Sequence, residues 1–294
     1  MFKNILVILF LCLFICPALP AQMMVQTNRN SLDAMVDTLV VMERRTGEAS
    51  HLGDRGFYHY IKFPEMTWIR KDSTYWSTDW ISNNINYGND SGQSTFTRDS
   101  MYQVNCTGRQ ILRLTKEAFP DFVILVSGLD SPQGYPDALD YDTFRPVGVT
   151  RKGTDFFVLE GATIALIKYD SHWNYVSKVA LDGTTYDEHD GIVVQQNGKF
   201  LSATSKGYIV EFDETSTYTR NVLIDSDNVL RGAALWHEYF VTCKTYIIST
   251  DTADAKVVLL KYPDLTVLST TDLSAHLNAT GNSTYGCYFM KKKY

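Results

Sequence analysis

Three glycines, Gly148, Gly191 and Gly232, open segments that share one layout and recur roughly every 40 residues. The first of these runs from Val147-Gly148-Val149 through a turn at Lys152-Gly153 to Phe156-Phe157-Val158-Leu159, then Ile164-Ala165-Leu166-Ile167, a turn at Asp170-Ser171, and Tyr175 to Leu181. The next repeats it with Gly191-Ile192-Val193-Val194, a turn at Asn197-Gly198, Phe200-Leu201, Tyr208 to Phe212, a turn at Asp213, and Thr219 to Ile224. The third has Gly232-Ala233-Ala234-Leu235, Tyr239-Phe240-Val241, Val257 to Leu260, Pro263-Asp264 and Val267-Leu268. A fainter copy precedes them, through Thr95-Phe96-Thr97, Met101 to Cys106, Ile111 to Leu114 and Phe122 to Leu129, and a fifth opening stands at Tyr285-Gly286-Cys287-Tyr288-Phe289. Four short strands in each unit of about 40 residues is the pattern of a β-propeller blade.

The polarity of the runs agrees with that pattern. Middle strands of a blade are covered on both faces by neighbouring blades and should read as unbroken apolar runs, as Val257 to Leu260 does. Outer strands meet water on one side and should alternate, as in Val176-Ser177-Lys178-Val179. A β-sandwich is the alternative, but it needs no fixed order of run lengths. The expected architecture is all-β: a propeller of five or six four-stranded blades, closed by the C-terminal strand pairing with N-terminal strands. Residues 1–21 read as a signal peptide, 22–93 as an irregular N-terminal segment with an extra blade, and 94–294 as propeller blades. Within 22–93, Leu32, Met35, Val36, Leu39 and Val40 fall at helical spacing, while Thr38 to Met42 equally suits a strand turning at Arg45-Thr46-Gly47. Phe57 to Phe63 and Trp68-Ile69-Arg70 look like further strands.

The openings Pro146-Val147-Gly148-Val149 and Asp190-Gly191-Ile192-Val193, each leading into a glycine turn and an apolar pair, resemble NHL-type propeller repeats. The third unit is also similar to the later blades of olfactomedin domains, which are secreted five-bladed propellers. Both resemblances rest on strand pattern over residues 94–290 and imply a propeller fold.

The chain starts Met1-Phe2-Lys3-Asn4, continues apolar from Ile5 to Cys16, and breaks at Pro17-Ala18-Leu19-Pro20-Ala21-Gln22. This is the layout of a secretory signal peptide cut near Gln22, and the apolar run is shorter than the roughly 20 residues a membrane span needs. A secreted, extracellular protein with no membrane span after cleavage is expected. Sequons at Asn89, Asn105, Asn278 and Asn282 add candidate glycosylation sites. The net charge of −6, without Lys/Arg clusters, argues against a nucleic-acid partner. Cleavage leaves Cys106, Cys243 and Cys287, an odd number that permits at most one internal disulfide.

Serine-hydrolase elbows, zincin helices, phosphate loops and paired zinc-ligand cysteines do not occur, and the six histidines are scattered. In a propeller the innermost strands line the channel, so residues just before each opening glycine converge at its mouth: Arg145 with Pro146, His189 with Asp190, Arg231, and Thr284 with Tyr285. This makes Arg145, His189, Asp190, Arg231 and Tyr285 the candidate ligand-binding set. If calcium binds, Asp190 is the expected ligand, because a hard cation takes carboxylate oxygens and Asp190 is the only acid in that ring. The acidic stretch Asp187-Glu188-His189-Asp190, and Asp137, Asp140 and Asp142 in the equivalent preceding loop, read either as calcium-holding or as solvated turns. The functional expectation is a non-enzymatic binding or scaffold module for an extracellular protein or glycan. The alternative is a metal-dependent hydrolase similar to propeller lactonases, whose metal is held near the channel by Glu, Asn and Asp. Glu160 is the acid at the right level for that, but the Asn-Gly opening of those enzymes is replaced by Asp190-Gly191 and Arg231-Gly232.

Overall fold

The computed structural model describes residues 36–44, 55–77, 85–87, 100–105, 110–115, 122–127, 144, 146–246, 255–277 and 283–291. Backbone contacts divide the chain into one unit of residues 38–290 and a second of residues 1–37 with 291–294. The second contributes only the ends of two strands among the described residues; the blades belong to the first.

Among the described residues, twenty strands account for nearly all of the structure. In chain order they are β1 (Val36–Arg44), β2 (Arg55–Lys62) and β3 (Thr67–Ser77), then β4 (Ile85–Tyr87), β5 (Ser100–Asn105), β6 (Gln110–Thr115) and β7 (Phe122–Ser127). Next come β8 (Pro146–Lys152), β9 (Asp155–Glu160), β10 (Ala165–Tyr169) and β11 (Tyr175–Ala180), and, after a single helical turn α1 (Gly183–Tyr186), β12 (His189–Val194), β13 (Phe200–Thr204), β14 (Tyr208–Phe212) and β15 (Tyr218–Leu223). The last are β16 (Asn228–Trp236), β17 (Tyr239–Tyr246), β18 (Lys256–Lys261), β19 (Thr266–Asp272) and β20 (Ser283–Lys291). Among the described residues no helix is long and apolar enough to cross a membrane.

These strands form five four-stranded sheets. Four are consecutive antiparallel meanders: blade 1 (β4–β7), blade 2 (β8–β11), blade 3 (β12–β15) and blade 4 (β16–β19). The fifth has the order β20-β1-β2-β3, so the C-terminal strand is the innermost strand of a blade whose other three strands come from the N-terminal part. The protein is thus a five-bladed β-propeller, closed as the unfinished fifth opening predicts. In the stretch where helical and strand spacing compete, the structure has β1. Blade 1 departs from expectation: its innermost strand is β4, at Ile85–Tyr87, paired with β5. The expected strand at residues 95–97 lies outside the described residues, and the first complete blade therefore begins before residue 94.

Burial follows position in the blade. Every residue of β13 is buried, whereas β15 alternates between half-buried and exposed along its length. The cores lie between blades. Phe157, Leu159 and Leu166 of blade 2 pack on Phe200, Val210 and Phe212 of blade 3, and Leu201 and Ile209 on the other face of blade 3 meet Leu230, Phe240, Val258 and Leu260 of blade 4. Each large side chain buried this way contributes on the order of 1.5–3 kcal/mol.

The turn between the third and fourth strands is a shared device. In blades 2 and 3, Asp170 and Asp213 each accept two backbone N–H groups with one carboxylate oxygen, from His172 and Asn174 and from Thr215 and Thr217. These bonds hold both aspartates below the ordinary carboxylate range, the side-chain bond to Asn174 leading for Asp170 and that to Thr215 for Asp213. In blade 4 and the closing blade the turns are Tyr262-Pro263-Asp264-Leu265 and Phe63-Pro64-Glu65-Met66, both with a cis X–Pro bond. All four turns place a positive φ three residues after their first position, at Trp173, Ser216, Leu265 and Met66.

Removing residues 284–294 takes away the innermost strand of the closing blade and exposes the edge of β1. The truncated chain should lose cooperative thermal unfolding and scatter light on heating; a truncation that melts as sharply as the full chain would contradict closure by β20.

Candidate functional site

The opening glycines sit in β-bulges. Register shifts between Pro146 and Gly148, between His189 and Ile192, and between Arg231 and Ala234, each on the innermost strand of its blade. A bulge sets two residues against one and re-aims the side chains beside it. In blade 3 the bulge includes Asp190 and Gly191; in blade 4 it includes Gly232 and Ala233, and the Thr242 hydroxyl opposite donates to the Gly232 carbonyl at 2.8 Å. The two bulges press together. Gly191 has φ +112°, and a Cβ there would stand 2.5 Å from the Gly232 carbonyl carbon, so only glycine fits.

This approach brings two of the expected site residues into direct contact. Arg231 Nη1 donates to Asp190 Oδ2 at 2.5 Å, with the Asp190 side chain 2 % exposed and that of Arg231 21 %. A carboxylate buried to that degree needs a cationic or hydrogen-bonding partner, and the guanidinium of the next blade supplies one. Calcium takes six to eight oxygen ligands, but the Asp190 carboxylate is committed to a cation, and no three His, Cys, Asp or Glu residues gather into a metal site among the described residues.

His189 is corrected. It lies not at the channel mouth but between blades, 2 % exposed, with its ring against Phe212, Tyr186 and Tyr218. Successive side chains of a strand face opposite ways, so His189 turns into the core while its neighbour Asp190 turns toward Arg231. The Tyr218 hydroxyl accepts from the Asp182 N–H at 3.1 Å and meets His189 Nε2 at 3.0 Å. Burial pushes His189 down to about 4, opposed by the Asp182 charge, and pushes the Tyr218 hydroxyl up to about 12. Asp187 is exposed and ends α1, whose first turn is capped by Asp182 accepting from the Thr185 N–H at 2.9 Å. That acidic stretch is turn chemistry.

Glu160 is spoken for as well. Its two oxygens accept from the N–H groups of Ala162 (2.8 Å) and Thr163 (2.7 Å), closing the β9–β10 turn. It is 2 % exposed. Tyr285 stands on β20. Arg145, Asp137, Asp140 and Asp142, and the sequons at Asn89, Asn278 and Asn282, lie outside the described residues; Asn105 ends β5, paired with Gln110.

One acid–base constellation has no counterpart in the sequence reading. Trp68 Nε1 donates to His59 Nδ1 at 3.3 Å, so His59 Nε2–H donates to Glu43 Oε2 at 2.9 Å. Both the His59 and Glu43 side chains are wholly buried, and the Trp68 ring stacks on His276 at 4.0 Å. Strand pairing of β1 with β2 builds the pair, and no spacing rule in one dimension marks it. Sealed from solvent, it holds strands together and cannot reach a substrate.

Two outcomes follow for variants. Arg231→Met leaves Asp190 buried without its cation and should cost roughly 2–4 kcal/mol, less than a wholly buried pair because Arg231 is partly solvated; adding Asp190→Asn should recover part of that loss in denaturant melts. His189 is protonated more readily unfolded than folded, so the unfolded chain binds the extra proton. Stability should therefore be full above about pH 6.5, fall as pH drops toward about 4, and change no further from this group below that, a total of about 3 kcal/mol. His189→Gln should flatten that slope relative to wild type in pH-dependent urea melts.

No family model matches the chain, and no curated protein matches it in sequence. Among solved structures it is similar to a chain of a nidogen/laminin complex, with 9 % identity over 86 % of this chain and 98 % of that one and a TM-score of 0.49. It is also similar to the WD40 domain of Pan2 from Neurospora crassa, with 12 % identity, 81 % and 63 % covered, and a TM-score of 0.40. A further likeness is to virginiamycin B lyase from Staphylococcus aureus, with 12 % identity, 66 % and 55 % covered, and a TM-score of 0.38. The chain thus spans less than two thirds of the length of the last two. These are likenesses of fold alone, and the five-bladed propeller stands on the sheet order itself.

Proposed function

We propose that this chain is a secreted, glycosylated β-propeller that acts without catalysis, binding an extracellular protein or glycan through the channel end where blades 3 and 4 meet. One observation carries the reading. The two acids that a metal-dependent hydrolase of this fold would call on, Asp190 and Glu160, are both engaged by structural partners, while Arg231 is pinned by a buried carboxylate with part of its side chain in solvent. A cation held in place this way loses little side-chain entropy on binding an anionic or polyhydroxylated group. Tyr285 and Arg145 belong to the same openings in sequence. The charged start, apolar run and Pro-containing break before Gln22 support export, and the four sequons suit it.

Protein collected from the medium of a secreting cell line should begin at or within a few residues of Gln22 and carry glycan at one or more sequons. On a glycan array and a panel of extracellular domains it should give binding that survives chelator and is lost in Arg231→Ala. Calcium-dependent turnover of esters or lactones, together with a calcium-dependent rise in melting temperature, would replace this reading with the hydrolase.

A further inference from the structure

Two thiols stand where the ring closes, and no part of the proposed function uses them. Cys243 lies on β17, the second strand of blade 4, and Cys287 on β20, the innermost strand of the closing blade; both are wholly buried. Each reaches across the blade interface. The Cys243 thiol donates to the Gly286 carbonyl at 3.9 Å, and the Cys287 thiol to the Val241 carbonyl at 3.5 Å. Each thiol thus lies against the strand segment that carries the other. Aromatic contacts fix the same interface, with Phe63 of the closing blade edge-on to Tyr239 at 5.1 Å and to Phe289 at 4.8 Å.

We propose that Cys243 and Cys287 join as a disulfide when the protein folds in an oxidising compartment, stapling the closing strand β20 to blade 4. The oxidant is a disulfide of the glutathione or dithiol-oxidoreductase class. One cysteine thiolate attacks a sulfur of that disulfide and expels a thiolate, forming a mixed disulfide. The second cysteine thiolate then attacks the protein sulfur of the mixed disulfide and expels the other thiolate. One S–S bond forms and one breaks, two electrons pass to the oxidant, and the two cysteine protons end on its thiols.

The order of events follows from burial. The bond with the Cys243 thiol, followed by burial, pushes the Cys287 thiol well above its ordinary range, so the packed interface holds almost no thiolate there. Exchange therefore takes place as β20 docks. Once formed, the bond ties the last strand of the ring to a blade made of contiguous chain, and β20 can no longer leave β1 without carrying β17 with it. The inference takes its cellular oxidant from the export reading above, while its geometry and chemistry stand without that reading.

The test uses the chain from Gln22 onward, reduced in denaturant and refolded in a glutathione/glutathione-disulfide buffer. Free thiols are then alkylated in denaturant and the peptides mapped. The expected product links the Cys243 and Cys287 peptides, lighter by two hydrogens than the reduced pair, with Cys106 alone alkylated. The oxidised protein should melt roughly 5–15 °C above the reduced one, and Cys243→Ala/Cys287→Ala should abolish the difference. Alkylation of both Cys243 and Cys287 in natively refolded material, or linkage of either to Cys106, overturns the staple without need of any variant. Mapping the protein taken from secreting cells separates the two ideas: a staple that forms on refolding but is reduced in that sample counts against export, whereas cysteines unlinked in both count against the staple.

Discussion

A ring of blades is stable only if its last sheet is completed, because an unfinished sheet bares both an edge and a face. Here that task falls to hydrogen bonds between β20 and β1, strands separated by almost the whole chain. Everything else depends on them. The blade 4 face that packs against β20 includes Val241 and Cys243, and the Phe63–Phe289 contact joins an N-terminal turn to the C-terminal strand. Long-range pairing of this kind forms late, since the entropy of closing so large a loop is lost before any contact compensates for it. The locking contacts at that seam accordingly matter more than their number suggests.

The interfaces between blades also decide what the polar residues do. Face-to-face sheets leave little room for water, so any charge on an inner strand is paired or costly. Asp190 has Arg231, Glu43 has His59, and Glu160 has the N–H groups of its own turn. His189 is kept neutral among aromatic rings. Asp190, Glu43, Glu160 and His189, which look like chemistry along the chain, thus serve packing in three dimensions.

Much of the architecture was legible from periodicity. The opening glycines marked the innermost strands, and the run lengths distinguished buried middle strands from half-wet outer ones. One further signal lay in plain view: Lys62-Phe63-Pro64-Glu65-Met66-Thr67 and Lys261-Tyr262-Pro263-Asp264-Leu265-Thr266 are the same turn, and aligning them would have identified residues 55–77 as the two outer strands of a blade. The start of blade 1 was less accessible. A three-residue strand, Ile85–Tyr87, carries too little pattern to be told from a loop.

The candidate site divides along the same line. By itself the sequence determined that Asp190, Arg231 and their neighbours fall at equivalent places in successive repeats, because a repeat of fixed strand order maps equal positions to one end of the ring. Which of them meet was decided only by tertiary structure. Successive residues of β12 face opposite ways, so Asp190 turns toward Arg231 while His189 goes into the inter-blade core, and the bulges at Gly191 and Gly232 let the two backbones approach closely there. The cysteines obey the same rule: their number limited the protein to one bridge, but the meeting of Cys243 with Cys287 required β20 to cross back and complete a blade begun at the other end of the chain.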